Sequence, residues 1–352
     1  MFLIALAHAA DFTPHIQVRP RLEARQLGDV YVHAVSQRSQ LGGTLANDSL
    51  SVNVVVQDVR LWGEEANTLK DFNADNLDVH VAAMTWSPAE SWTLVVGRQE
   101  LTVHEHRLIG NVGWTQQARS FDGLRLQKSG PVHLELAGVV LAEGESATYD
   151  PNATAMMAFA RVGWSPEEGP ALVDLLYIAD IDWGTDVLRH TAGLYARGAM
   201  GPLKGRIEGY GQFTDEVAWM AGASGSFAPD SDLKPSVTLW FDTLSPGFNT
   251  LFATNHKFYG LADVAVFQIG GADTGLHDAA LKLGAAPKGV PVNLDAHAFL
   301  AADGSGMLAS EVDLWTGKEL TDGLKMGAGG AVVLPTEGDT QLWGFVQLDA
   351  SL

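Results

Sequence analysis

The feature that most constrains this chain is a strict alternation of apolar and polar residues, repeated in segments of about ten to twelve residues. In 16–25, Ile16, Val18, Pro20, Leu22 and Ala24 fall on one face, and Gln17, Arg19, Arg21, Glu23 and Arg25 on the other. Residues 203–212 set Lys204, Arg206, Glu208, Tyr210 and Gln212 against Leu203, Ile207 and small residues, and 290–300 repeat the pattern. A period of two is the signature of half-buried strands. Soluble sheets usually hold strands of about five or six residues, whereas a tilted membrane-crossing strand needs about nine to eleven. The pattern predicts an all-β fold, a transmembrane antiparallel β-barrel.

Eighteen segments fit: 16–27, 50–62, 77–86, 91–98, 119–128, 132–143, 154–164, 171–181, 187–198, 203–213, 216–228, 235–243, 257–268, 275–286, 290–301, 306–317, 322–333 and 339–350. Turn signals such as Gly201-Pro202 and Asp303-Gly304 separate them. Residues 30–38 offer one more strand, but a ring with both ends in the periplasm needs an even count, so another would have to go. Eighteen is the expectation and 16 the alternative. The stretches 28–49, 63–76, 99–118 and 244–256 read as surface loops or pore constrictions. With no linker or break in composition, 11–352 form a single barrel. Residues 1–10, MFLIALAHAA, read as the remnant of a secretory signal peptide, with a short apolar core before a small-x-small site.

Composition narrows the function. The absence of Cys removes disulfides, thiolate nucleophiles and Cys-based metal sites. The net charge of −20 repels phosphate, so no nucleic-acid partner is expected. No apolar run reaches the roughly 18 residues of a helical span. An apolar content of 46% in so acidic a chain fits apolar residues spread one in two along lipid-facing strands. Trp62, Trp86, Trp92, Trp164, Trp183 and Trp315 near strand ends fit interfacial girdles.

On the polar faces, basic residues concentrate in the first two thirds of the chain and acids in the last third. In a ring this predicts a basic wall facing an acidic one, a field that orients hydrated polar or anionic solutes. Arg19, Arg21, Arg25, Arg119, Arg125, Arg161, Lys204, Arg206 and Lys257 are expected to line the lumen. No nucleophile elbow or phosphate loop is present, so no enzyme is expected. His104-Glu105-His106 lacks a third metal ligand and reads as a polar loop. No cofactor is expected; Asp71, Asp75 and Asp78 give only a weak Ca²⁺ signal, their spacing unlike an EF-hand loop.

Two stretches carry a family resemblance. Residues 97–126, GRQELTVHEHRLIGNVGWTQQARSFDGLRL, and 57–63, QDVRLWG, resemble the alginate export family of outer-membrane porins, with a further echo at 254–264. The resemblance implies an 18-stranded barrel passing anionic polysaccharide through an arginine-rich pore. It would place Arg60, Arg98, Glu100, Arg107, Asn111, Trp114, Arg119, Asp122, Arg125, His256 and Lys257 at that pore. The lining departs from a strongly basic one, which favours a passive porin for small polar or anionic solutes over a selective polysaccharide exporter. A structural or adhesive barrel with a blocked lumen is the reading of another class. Outer-membrane lipid and lipopolysaccharide would surround the barrel. The alternating segment 340–352 is of the kind that barrel-assembly machinery recognises, although it ends in Leu352 rather than an aromatic residue.

Overall fold

The computed structural model describes residues 10–63, 77–143, 154–167, 169–182, 187–267 and 271–352. Eighteen antiparallel strands form one closed ring. They are β1 (Asp11–Leu27), β2 (Val30–Ala46), β3 (Leu50–Leu61), β4 (Leu77–Ala89), β5 (Trp92–Gln99), β6 (Phe121–Lys128), β7 (Val132–Glu143), β8 (Thr154–Trp164) and β9 (Leu172–Asp182). The second half holds β10 (Val187–Met200), β11 (Leu203–Phe213), β12 (Val217–Phe227), β13 (Ser236–Leu244), β14 (Leu276–Ala285), β15 (Val292–Leu300), β16 (Met307–Thr321), β17 (Leu324–Pro335) and β18 (Gln341–Ser351). Each strand pairs with its neighbours in sequence, and β18 pairs back onto β1, with Arg21 opposite Gln347 and Arg25 opposite Trp343. Closure leaves no unpaired edge, the condition a sheet in hydrocarbon must meet.

The count of eighteen conceals two compensating corrections. Residues 28–49, expected as a loop, hold β2 and the turn before it. Gly28, at φ 57°, and Asp29 make the glycine-first connection that lets β1 and β2 pair along their whole lengths. Conversely, the described part of 257–268, residues 257–267, contains no strand. That stretch crosses the lumen, where Phe258, Tyr259, Ala262, Val264 and Ala265 are buried without regard to period. Burial on both sides produces an apolar run that periodicity alone assigns wrongly.

The outer face is largely apolar, with Leu239 at 67% exposure and Leu175, Ile207 and Leu124 similarly open. Trp86 and Trp164 stand on it near strand ends. Trp315 does not. It lies opposite Asn293 and Gly329 on the luminal side, so it belongs to no girdle. Trp183 and residues 1–9 lie outside the described residues. Inside, the wall has two characters. Away from the termini it is apolar, with Val139, Met157, Ile178, Met220, Phe299 and Val333 buried under the luminal loops. Elsewhere it carries charge. Placing an arginine at Leu239, in the middle of an outward stripe, should destabilise the barrel by about 2–4 kcal/mol. Urea titration of folding into lipid vesicles measures this, and an unchanged midpoint would mean that this face does not meet hydrocarbon.

Candidate functional site

Two long connections leave the end of the barrel opposite the termini and fold inward: residues 100–120 between β5 and β6, and residues 245–275 between β13 and β14. They join in mid-lumen. Gly110 N–H donates to the Phe252 carbonyl at 2.8 Å, Phe252 N–H to that of Leu108 at 2.9 Å, and Thr254 N–H to that of His106 at 3.0 Å. Arg119 donates to the Phe252 carbonyl at 2.5 Å from the first loop's return limb.

The first loop reaches across the lumen by a reversal at His104, Glu105 and His106, all with positive φ (46°, 59° and 76°). Three consecutive non-glycine residues in this region are strained, so surrounding contacts must hold them. The three side chains of this loop diverge to separate partners. His104 bridges Asp174 (3.0 Å) and the Tyr210 hydroxyl (2.9 Å) and stacks on Tyr195. Glu105 accepts from Tyr195 and Arg197, and His106 lies 3.4 Å from the Thr254 hydroxyl. Of the proposed Ca²⁺ ligands, Asp71 and Asp75 lie outside the described residues, and Asp78 accepts from Arg98 at 3.4 Å. Among the described residues no cluster of three or more metal-binding side chains occurs.

Arg107 is the deepest anchor. Wholly buried, it donates to Glu208 at 2.8 Å, Asp242 at 2.7 Å and the Tyr259 hydroxyl at 2.9 Å, and its guanidinium lies 3.6 Å from the Phe258 ring centre. Burial alone would lower its pKa, but the two carboxylates outweigh it and hold the charge more firmly than usual. Arg119 lacks such partners, and burial pushes its pKa down. Burial likewise lowers Lys257, and it lowers His106 with help from Lys257. At Glu100 burial pushes upward, but hydrogen bonds from His80 and Asn111 prevail and hold the carboxyl below its ordinary value.

The β1 arginines hold the far part of the first loop by its carbonyls. Arg19 donates to Gln116 (3.1 Å) and to the carbonyls of Gly113 (2.7 Å) and Thr115 (2.6 Å). Arg21 donates to the Trp114 carbonyl at 2.5 Å and lies over the Trp114 ring, which also stacks on His256 at 4.4 Å and meets Phe345 edge-on at 4.8 Å. Arg25 donates to the Ala262 carbonyl of the second loop at 3.0 Å.

Further round the wall the bases are paired with acids. Glu135 accepts from Arg125 (2.6 Å) and Arg161 (2.9 Å), Asp174 from Arg161 (3.0 Å), and Arg206 pairs with both Glu208 and Asp242. An acidic patch occupies β14–β16, where Asp295 stands opposite Asp313 and His297 opposite Glu311. Only β17 and β18 separate this patch from β1, so it flanks the arginines of β1, while across the ring it faces β6–β8, where Arg125 and Arg161 are themselves paired with acids.

Most of the residues expected at the pore do point inward or lie in the luminal loops. Three do not. Arg60, Arg98 and Asp122 stand opposite Gln37, Ala82 and Val140, positions on the outer face. Arg60 pairs there with Asp58 at 2.7 Å, and Arg98 with Asp122 at 2.7 Å. Sequence reasoning missed Arg38 because β2 was not read as a strand. Its alternation with Ser36 and Gln40 was the available signal.

Below the loops, toward the termini, lies a cavity of about 400 Å³ bounded by Trp114, Trp240, Lys257, Lys282, Asp295 and Trp315. A second, of about 580 Å³, shares Glu105, Trp240 and Lys282 with it and extends to Pro170 at the terminal end. The two adjoin at these three residues as the lobes of one chamber.

No protein-family model matches the chain, and no curated protein matches it by sequence. The likeness to the alginate export family is therefore not supported by family comparison. Solved structures do match. OccAB4 of Acinetobacter baumannii superposes with a TM-score of 0.70 at 10% identity, covering 98% of both chains. OccK8 (OprE) of Pseudomonas aeruginosa gives 0.68 at 12% identity, over 97% of this chain and 98% of that one. The outer membrane protein opdK of the same organism gives 0.69 at 12% identity, over 97% and 98%. At such identities the likeness establishes a shared fold, the closed 18-stranded barrel.

Two outcomes follow from the anchors. Arg107→Ala leaves Glu208 and Asp242 short of a buried counter-charge and should destabilise the protein by about 3–5 kcal/mol in detergent unfolding, where a loss under 1 kcal/mol would refute the anchoring role. A carboxyl whose folded pKa is lowered contributes stability above its unfolded value, 4.5 for Glu100, and loses it as pH falls through the folded value. The stability difference between wild type and Glu100→Gln should therefore be full at pH 7 and vanish on acidification below pH 4.5. A difference independent of pH would contradict this.

Proposed function

We propose that the chain is a passive channel of the bacterial outer membrane for small polar solutes, anionic ones included. The observation that carries this reading is the division between the two faces of one closed sheet: outward residues are predominantly apolar, broken by the paired charges on β3, β5 and β6, while the inward face holds charges, two folded loops and a chamber. A closed barrel with that polarity is stable in hydrocarbon and encloses water. The fold neighbours are consistent with it, and one structure of OpdK holds vanillate, a small aromatic carboxylate. Lipid and lipopolysaccharide would surround the wall, and barrel-assembly machinery would insert it.

Selective export of an acidic polysaccharide is not favoured. A long polyanion needs a run of unengaged guanidinium groups, and Arg19, Arg21 and Arg119 are bonded to loop carbonyls while Arg107, Arg125 and Arg161 are bonded to acids. A wholly filled surface barrel is not favoured either, because below the loops the lumen holds cavities of about 400 and 580 Å³ rather than packed side chains.

Purified protein reconstituted in a planar bilayer should show steady ohmic steps in salt, with weak ion selectivity because the inner charges are largely paired within the wall. Absence of conductance from correctly folded protein would overturn the proposal.

A further inference from the structure

The chamber's lining has a chemistry of its own. Its charged groups are Arg197, Lys204, Arg206, Lys257 and Lys282 against Glu105, Asp295 and Asp313, and three of the five cations are already paired with acids. Lys282 lies 3.4 Å from Asp295, and Glu105 already accepts from Arg197. The forks that would grip a carboxylate bidentately lie outside it or are engaged. Arg21 holds the Trp114 carbonyl, and Arg206 holds Glu208 and Asp242.

Aromatic surface is abundant instead. Trp315 turns into the lumen at 38% exposure, and among the described residues no other ring stacks on it. Gly329 lies opposite both Trp315 and Phe345 across its two strand pairings. A Cβ there would come within 2.8 Å of the Phe345 ring and of the Trp315 Cβ, so the glycine is what lets the two aromatic side chains flank one floor. Beyond Trp240, whose ring carries the Arg206 guanidinium at 3.8 Å, the chamber wall turns to hydroxyls at Ser224, Ser226 and Thr238.

We propose that this chamber binds a short uncharged saccharide in transit. It supplies the three things a sugar ring needs. A free indole face meets the ring's C–H surface. Carboxylates accept from hydroxyls, and ammonium groups and hydroxyls donate to the remaining lone pairs. Ion pairs such as Lys282–Asp295 and Arg197–Glu105 set donors and acceptors side by side, which suits a solute bearing both and no charge. The inference rests on the channel reading for access to the chamber and names the solute class within it.

Maltotriose, glucuronate and benzoate serve as probes in two independent measurements. In detergent, intrinsic tryptophan fluorescence should change saturably with maltotriose and weakly or not at all with the two carboxylates. Trp315→Ala should weaken maltotriose roughly five- to tenfold, and Trp315→Phe should restore part of the loss. In the bilayer, maltotriose should produce brief reversible closures of the open current, which Trp315→Ala shortens. Saturable binding without any conductance would leave the saccharide site standing and overturn the channel. Conductance without maltotriose binding, tighter binding of benzoate or glucuronate, or maltotriose affinity indifferent to Trp315 would overturn the saccharide site and leave the channel.

Discussion

Everything in this structure depends on the pairing of β18 with β1. Eighteen strands contribute a full complement of backbone donors and acceptors, and in a hydrocarbon environment each must find a protein partner. An open sheet would leave two unpaired edges. Closing it satisfies both at once and in doing so defines an inside and an outside. From then on the period of two is a partition: alternate residues meet lipid and the rest meet the lumen. The apolar outer stripe and the charged inner wall are one fact seen from two sides.

Because the inside is wide, it must be furnished, and the furnishing explains why so many arginines are buried in an acidic protein. Arg19, Arg21, Arg25 and Arg119 bond to carbonyl oxygens of loop segments that have no sheet to satisfy them. Arg107 and Arg206 share Glu208 and Asp242 in one network that ties the first loop to β11 and β13. In both arrangements a guanidinium with five donors fastens irregular backbone or paired carboxylates where a single ammonium could not. The inner charges are thus in large part structural.

How much of this the sequence showed follows from where its alternation is pure. β1 and β11 read correctly residue by residue, because one face meets lipid and the other water. The reading failed where a segment meets neither in that way. The upper half of β2 is exposed on both faces, and its hairpin turn is only two residues long, so it passed for a loop. The segment around Tyr259 is buried on both sides and passed for a strand. Arg60, Arg98 and Asp122 were assigned inward on a likeness between short stretches, when their parity within β3, β5 and β6 already put them outside. The chamber was not legible at all. It is assembled from Trp114, Trp240, Trp315 and Phe345, which only the ring closure and the inward loops bring together, and Trp315 was read as part of the girdle.

The hydrogen bonds between the two luminal loops have a mechanical corollary. Ile109 and Phe252 sit on a parallel bridge, and Arg119 fastens the return limb of the first loop to the same carbonyl region of the second. A displacement of either loop must therefore drag the other, so the obstruction behaves as one stiff crossbar carried on three sides of the ring. Fluctuations of the passage would then be collective and stepwise, with a small number of discrete levels rather than a continuum of widths.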